Sequence, residues 1–590
     1  MESKIGVGIV LEIIFFLFSF LLCWLSGILL PKTSKMNAIV DIMISYVTTL
    51  CWGALGALAL QVIGIRISLF STACVYMIGC IILLGYIIFR HSIQRLEIRK
   101  PDIIGLITGA LLVGGIALHI FTIYLHLNYH NSIDPSSHYY MAMDIIKKQS
   151  ISGMYFSQFH NAMLMSVIDY FLPATWSYKA FIIADCFQTL MEFYFAYAFM
   201  IYLCRNKKSN VLPIIMTVMY WLGYPLYSFA GGAYVYWAMG GTLVLYVFWM
   251  INIYFEKRDL RKYCIGAIVL GCFSVSVCYV QFLPATVLAV LVVIAYCNKR
   301  ENSMQLNKKQ ISKILIVLGI LAIVGGIAYY VIFYSRGLGI FYALSGGSNT
   351  SKNLEMIVAI PIIYYIIYKK IKAKDIDAFT LSLLSFTFVH IILTFLASIN
   401  LVSSYYLFKD YFILWGFIFI ILVGEEKVYD EKIKRYIMHY LLIAVLFLTF
   451  LYTPFNKLED DNILSLDNSI YRHNIVLFRT ESYRNSFVES KMNLIEYVAD
   501  NYEYPEEKVA LIGTNEMIGT CAWYAAISGQ YIYYYAPFME EEQIEEFLKN
   551  SDADYILIFY GSKAYEEKKE YFETYEKVYD SEEGFICRVK

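Results

Sequence analysis

The sequence predicts a polytopic α-helical membrane protein, with about 12–14 transmembrane helices and a C-terminal extracytoplasmic α/β domain. Three observations carry this. Hydrophobic residues make up 59% of the 590-residue chain and charged residues only 16%, well under the roughly one quarter charged of a soluble domain. Apolar runs of about span length recur to residue 455. Beyond residue 455 acidic and amide residues rise and no such run remains.

The runs fall at 5–30, 39–65, 68–89, 103–125, 178–203, 211–229 and 242–255. Next comes a hairpin, 264–279 and 284–297, split at Gln281, Phe282, Leu283 and Pro284. The last are 314–334, 356–368, 378–399, 411–424 and 436–455. The first run is too long for a signal h-region and lacks a small-residue exit, so it reads as a retained span.

Alternate loops differ in charge. One set is basic, with Lys32 and Lys35, then Arg90, Arg95, Arg99 and Lys100, then Arg205, Lys207 and Lys208. The same set continues through Lys257–Lys262, Lys299–Lys309, Lys369–Lys374 and Lys427–Arg435. The other set is sparse, with Arg66, Lys147 and Lys148, Arg336 and Lys352, and Lys409. The positive-inside rule puts the first set in the cytoplasm. The outer side then holds the Asp134 loop, a loop with Tyr234, Tyr236 and Trp237, the Ser345 and Lys409 loops, and everything after Phe455. Four regions result: N-terminal spans 1–125, an extracytoplasmic loop 126–177, a transmembrane core 178–455 and an α/β domain 456–590.

The tail predicts helices at 492–502, 517–528, 540–550 and 564–575. Short strands are expected at 509–513, 531–535 and 555–559, with a closing hairpin at 578–580 and 585–589. This alternation gives a small, partly parallel sheet. No GxGxxG follows the first strand, so no nucleotide site is read there. Twelve cysteines stand singly, without CxxC, and offer neither a zinc set nor a disulfide framework. Cys521 and Cys587 fall outside the spans and could pair, though two free buried thiols are the preferred reading. No basic cluster faces outward, which argues against nucleic acid.

The loop 127–172 is the longest polar interruption before the tail. Asp134 before Pro135, followed by SSHYYMAMDIIKK, has the form of an N-cap and a first-turn proline. Capping alone explains Asp134 about as well as a catalytic role, and the two are compatible. His138 lies one turn along, beside Asp134. His160, in FSQFHNA, precedes an amphipathic stretch and reads as an interfacial hydrogen-bonder or a catalytic partner. Asp185, Gln188 and Glu192 share one face of a span, either as a polar lining under the loop or as a packed seam with His119 or His390. Lys409 either holds a phosphate or snorkels to the interface or pairs with Asp410, and Arg336 is a second candidate for the phosphate.

These segments together resemble the GT-C superfamily of integral-membrane glycosyltransferases, which includes oligosaccharyltransferase, protein mannosyltransferase and aminoarabinose transferase. The resemblance rests on DPSSHYYMA before a loop helix, on YFSQFHNAML, and on the closing DADYILI and YEKVYDSEEGFICRV. The family's acidic loop follows its first span, whereas here it follows the fourth. The resemblance implies that Asp134 occupies the acidic catalytic position and that the donor is a sugar on a polyprenyl phosphate. The expectation is transfer to a glycan or protein acceptor of the cell envelope, at the outer face of the cell membrane. Asp134 would be the base, with His138 and His160 in support. Lys409, Arg336, Tyr139, Tyr406, Asp185 and Glu192 would contact substrate. No cofactor is read with certainty, and use of a divalent metal stays open. A transporter or flippase, built on Asp185 and Glu192, and a non-catalytic envelope protein are the rival readings.

Overall fold

The computed structural model describes residues 2–29, 38–89, 133–151, 153–168, 177–203, 217, 220, 235–257, 260–300, 365, 368, 372, 378–398, 413, 414, 489–512, 518–530, 544, 546 and 550–589. Its architecture is that of a helical membrane protein with a small C-terminal sheet.

The first three helices are α1 (Glu2–Leu29), α2 (Ala38–Val62) and α3 (Leu69–Phe89). The loop helices are α4 (Ile133–Lys148) and α5 (Phe159–Ile168), joined through a 3₁₀ turn at Gly153–Gln158. Then come α6 (Ser177–Leu203), α7 (Val235–Glu256), α8 (Arg261–Cys278), α9 (Leu283–Arg300) and α10 (Ala378–Ser398). Among the described residues, four helices are long and apolar enough to cross a membrane: Met43–Val62, Leu69–Phe89, Tyr236–Phe255 and Arg261–Cys278.

Apolar character all round a helix means burial on all sides or contact with lipid. The two cases separate clearly here. Helix α7 is enclosed, and Trp249 on it packs against Phe195, Phe199 and Tyr202 of α6. Helices α3 and α8 instead turn Ile78, Ile81, Leu84, Ile265 and Val269 outward. Helix α8 reaches α7 closely because Gly271 lacks a side chain: a Cβ there would lie 2.7 Å from Val247 Cγ2.

Two boundaries differ from the sequence reading. Tyr236 and Trp237, expected in an outer loop, belong to α7, and Trp237 is only 1% exposed. The hairpin between α8 and α9 turns through Tyr279 and a 3₁₀ turn at Val280–Phe282, so Pro284 sits in the first turn of α9, where its missing N–H is harmless.

The tail forms a lobe of α11 (Glu489–Asn501), β1 (Val509–Ile512), α12 (Ile518–Ser528), β2 (Tyr555–Phe559), α13 (Lys563–Phe572), β3 (Lys577–Asp580) and β4 (Gly584–Arg588). The strand order is β1-β2-β4-β3. β1 and β2 run parallel, with Val509 opposite Tyr555, and the other two pairings are antiparallel. All four residues of β1 are buried, as suits a strand covered on both faces. β3 alternates between half-buried and exposed residues, as suits an edge. Gln530 accepts from the Val509 N–H at 3.1 Å, and the Tyr524 hydroxyl donates to the Val509 carbonyl at 2.6 Å, so the start of β1 is pinned on both sides. Cys521 and Cys587 are free and buried.

The lobe does not hang free of the bundle. Helix α4 packs on α12, and one continuous apolar cluster runs from α1–α3 through α4 and α5 into α11, β1 and α12. Tyr139 is the central piece. Its ring meets Phe181 of α6 edge-on at 5.8 Å and Trp523 of α12 at 5.6 Å.

Candidate functional site

The loop helices occupy the junction between bundle and lobe, and they carry the chemistry-bearing side chains of the 127–172 loop. Helix α4 begins at Ile133, one residue before Asp134. Asp134 therefore lies in the first turn rather than at the cap position that the Asp-Pro pattern suggested. An acid there still complements the partial positive charge of the helix N-terminus. The side chain of Asp134 lies outside the described residues, and so do Lys409, Arg336, Tyr406 and His119.

One turn along α4, His138 is 8% exposed. Its ring packs against Tyr236 at 4.8 Å, and Tyr236 in turn approaches Tyr279 at 5.8 Å. This aromatic column joins the start of α7 to the end of α8. Tyr139, expected to touch substrate, is 2% exposed and spends its ring on the contacts between α4, α6 and the lobe. At the far end of α4, Asp144 is buried and pairs with Lys148 at 2.6 Å.

His160 opens α5 and stacks beside Phe159 at 5.1 Å. It lines a narrow cavity with Cys51, Met239, Leu243, Ser274 and Cys278. Burial pushes its imidazole down to about 4. It is therefore neutral at pH 7, able to accept or donate one hydrogen bond but a weak base.

The most fully connected polar group in this region lies directly beneath. The Asn161 amide nitrogen donates to Asp185 Oδ1 at 2.6 Å and to Gln158 Oε1 at 3.0 Å. The Gln188 amide donates to Asn161 Oδ1. The four residues are 1–4% exposed, so these contacts replace hydration that burial removed. The Asp185–Gln188–Glu192 face is thus a packed polar seam at Asp185 and Gln188. Its partner is Asn161 of α5; His390, the described candidate from the sequence, is also buried, on α10.

Seven residues past Asp185 on α6, Glu192 is 2% exposed and neither carboxyl oxygen finds a hydrogen-bond partner among the described residues. By helix rise it lies about 10 Å further along than Asp185. An acid buried in this way within an apolar helix is a candidate functional residue.

Asn161 and Gln158 were not singled out from sequence. Their signal was present, since both fall within three residues of His160, in a segment otherwise apolar enough to be buried. Among the described residues, no group of three or more His, Cys, Asp or Glu is placed to hold a metal ion.

Comparison with family models, with curated proteins and with solved structures returned no match.

Proposed function

We propose that this chain is a membrane glycosyltransferase of the GT-C kind, moving a sugar from a polyprenyl-phosphate donor to an envelope acceptor outside the cytoplasm. One observation carries the reading: α4, which bears Asp134 and His138, is clamped by Tyr139 between the membrane bundle and the α/β lobe. A helix held from both sides fixes the backbone that carries the acid, and general-base chemistry requires a positioned group. On the loop-charge reading α4 and the lobe share the outer face, and their direct packing supports a common compartment.

In this mechanism the acceptor hydroxyl gives its proton to Asp134 as its oxygen bonds to the anomeric carbon. The bond from that carbon to the donor phosphate breaks, and the polyprenyl phosphate leaves with the electron pair. Configuration at the anomeric carbon inverts. Lys409 or Arg336 neutralises the departing phosphate. His138 and His160 position the acceptor by hydrogen bonds, and the neutral state of His160 suits it to that task rather than to proton removal.

The test is direct. Purified chain is given radiolabelled polyprenyl-phosphate sugar and an envelope extract, and label leaving the lipid is counted. The expected result is transfer by the wild type and loss of at least about a hundredfold in Asp134→Asn, the usual worth of a general base. Full transfer by Asp134→Asn would overturn the assignment. A second reading, transport of a lipid-linked or sugar substrate, draws on Glu192 alone. It predicts label crossing the membrane of a proteoliposome with no bond broken.

A further inference from the structure

A lateral groove of about 660 Å³ opens on the bundle surface, away from the loop helices. Helix α2 forms its floor with Thr48, Trp52 and Leu55; α3 supplies Ile82 on one wall and α8 supplies Val269 on the other. Trp52 is fixed there, its indole N–H donating to the Val75 carbonyl at 2.9 Å. Outside the groove the flanking Ile81 and Ile265 are exposed, as lipid-facing residues are.

Three features define what fits. The lining is almost wholly apolar side chain. Lys262 stands at one mouth, exposed and without an ion pair among the described residues. Along α8 the groove extends from Lys262 to Phe273, about 16 Å at the helical rise. That is half of a hydrocarbon core of about 30 Å, so the groove spans one leaflet.

We infer that this groove is a binding site for one anionic glycerophospholipid of the bilayer, its acyl chain in the groove and its phosphate against Lys262. A cation at the end of a leaflet-long apolar slot complements a phosphate head at the depth where lipid heads lie. A polyprenyl chain, much longer than one leaflet, would overrun the far end at Phe273. The inference is independent of the reaction proposed above.

Gly266 makes the test clean. It lines the groove, and a Cβ added there meets nothing within 4 Å. Gly266→Phe therefore adds a large side chain to the lining, its Cβ clear of every described atom. Lys262→Glu reverses the charge at an exposed position that packing does not constrain. The full chain is purified in mild detergent, retained lipid is identified by mass spectrometry, and folding is checked by gel filtration and thermal unfolding.

The expected result is about one anionic phospholipid per wild-type chain and its loss in Gly266→Phe, with unfolding temperature unchanged or raised. In Lys262→Glu the enrichment of anionic over zwitterionic lipid falls by at least about fivefold, the worth of one lysine beside an anionic head. Equal retention by wild type and folded Gly266→Phe would overturn the inference. So would a polyprenyl phosphate as the retained species, or no change of head-group preference in Lys262→Glu, the variant that decides the matter if Gly266→Phe fails to fold.

Discussion

Asn161 offers the sharpest test of how the loop helices are held to the bundle. Its amide makes three hydrogen bonds, two donated to Asp185 and Gln158 and one accepted from Gln188. Asn161→Ala removes all three and strands their partners away from water. Side-chain hydrogen bonds between membrane helices average about 0.6 kcal/mol and reach about 1.7 kcal/mol. Taking the short Asp185 contact at the upper end and the two amide contacts at the mean gives a loss of about 3 kcal/mol. The assay is unfolding of the purified chain by denaturing detergent, followed by tryptophan fluorescence, in a double-mutant cycle with Asp185→Ala. The two losses should overlap, with the double variant less destabilised than the sum by about 1–2 kcal/mol. Thr189→Ala is the control: its hydroxyl donates only to the Asp185 carbonyl of its own helix, and its loss should be under about 1 kcal/mol. Additivity of Asn161→Ala and Asp185→Ala within about 0.5 kcal/mol would refute the seam as an energetic unit.

Other perturbations reach different parts of the argument. Gly271→Ala drives a methyl into Val247 and should destabilise by about 1–3 kcal/mol, whereas Gly266→Ala, facing open space on the same helix, should stabilise by up to about 1 kcal/mol; comparative thermal unfolding reads both. His160 has a folded value of about 4 against an ordinary 6.5, so its neutral form is favoured by folding. Its contribution is therefore complete above pH 6.5 and is lost as pH falls toward 4, by at most about 3 kcal/mol, and His160→Gln should flatten that part of the stability profile. Trp523→Ala removes the aromatic contact to Tyr139 and should loosen the lobe, raising protease cleavage between bundle and lobe while leaving the bundle intact; an unchanged digestion pattern would mean that the docking lies elsewhere.

The elements legible in the sequence were those with one dominant periodicity. The run at 68–89 emerges as Leu69–Phe89 because no charged residue interrupts it. The strand at 555–559 emerges as Tyr555–Phe559 because β-branched and aromatic residues end abruptly at Gly561. What escaped depended on neighbours distant in the chain. Tyr236 and Trp237 carry the composition of an interfacial belt, yet His138 and the bundle bury them, so α7 starts a full two turns before its apolar run. Asp185 and Gln188 announced a polar face, but the identity of its partner required the fold to bring Asn161 across from another helix. Tyr139 shows the same limit in reverse. The family resemblance implied contact with substrate, and only the position of α12 reveals a ring packed against Trp523.

The grip of Trp523 on Tyr139 also sets a schedule for synthesis. Most of the chain is translated between the two residues, and at roughly 5–20 residues per second the ribosome needs tens of seconds to cover that distance. Throughout that interval α4 has emerged but the surface destined to cover it has not been made. A chain truncated before α12 would leave that apolar face bare for good, a flag by which surveillance chaperones and proteases can tell an unfinished molecule from a finished one.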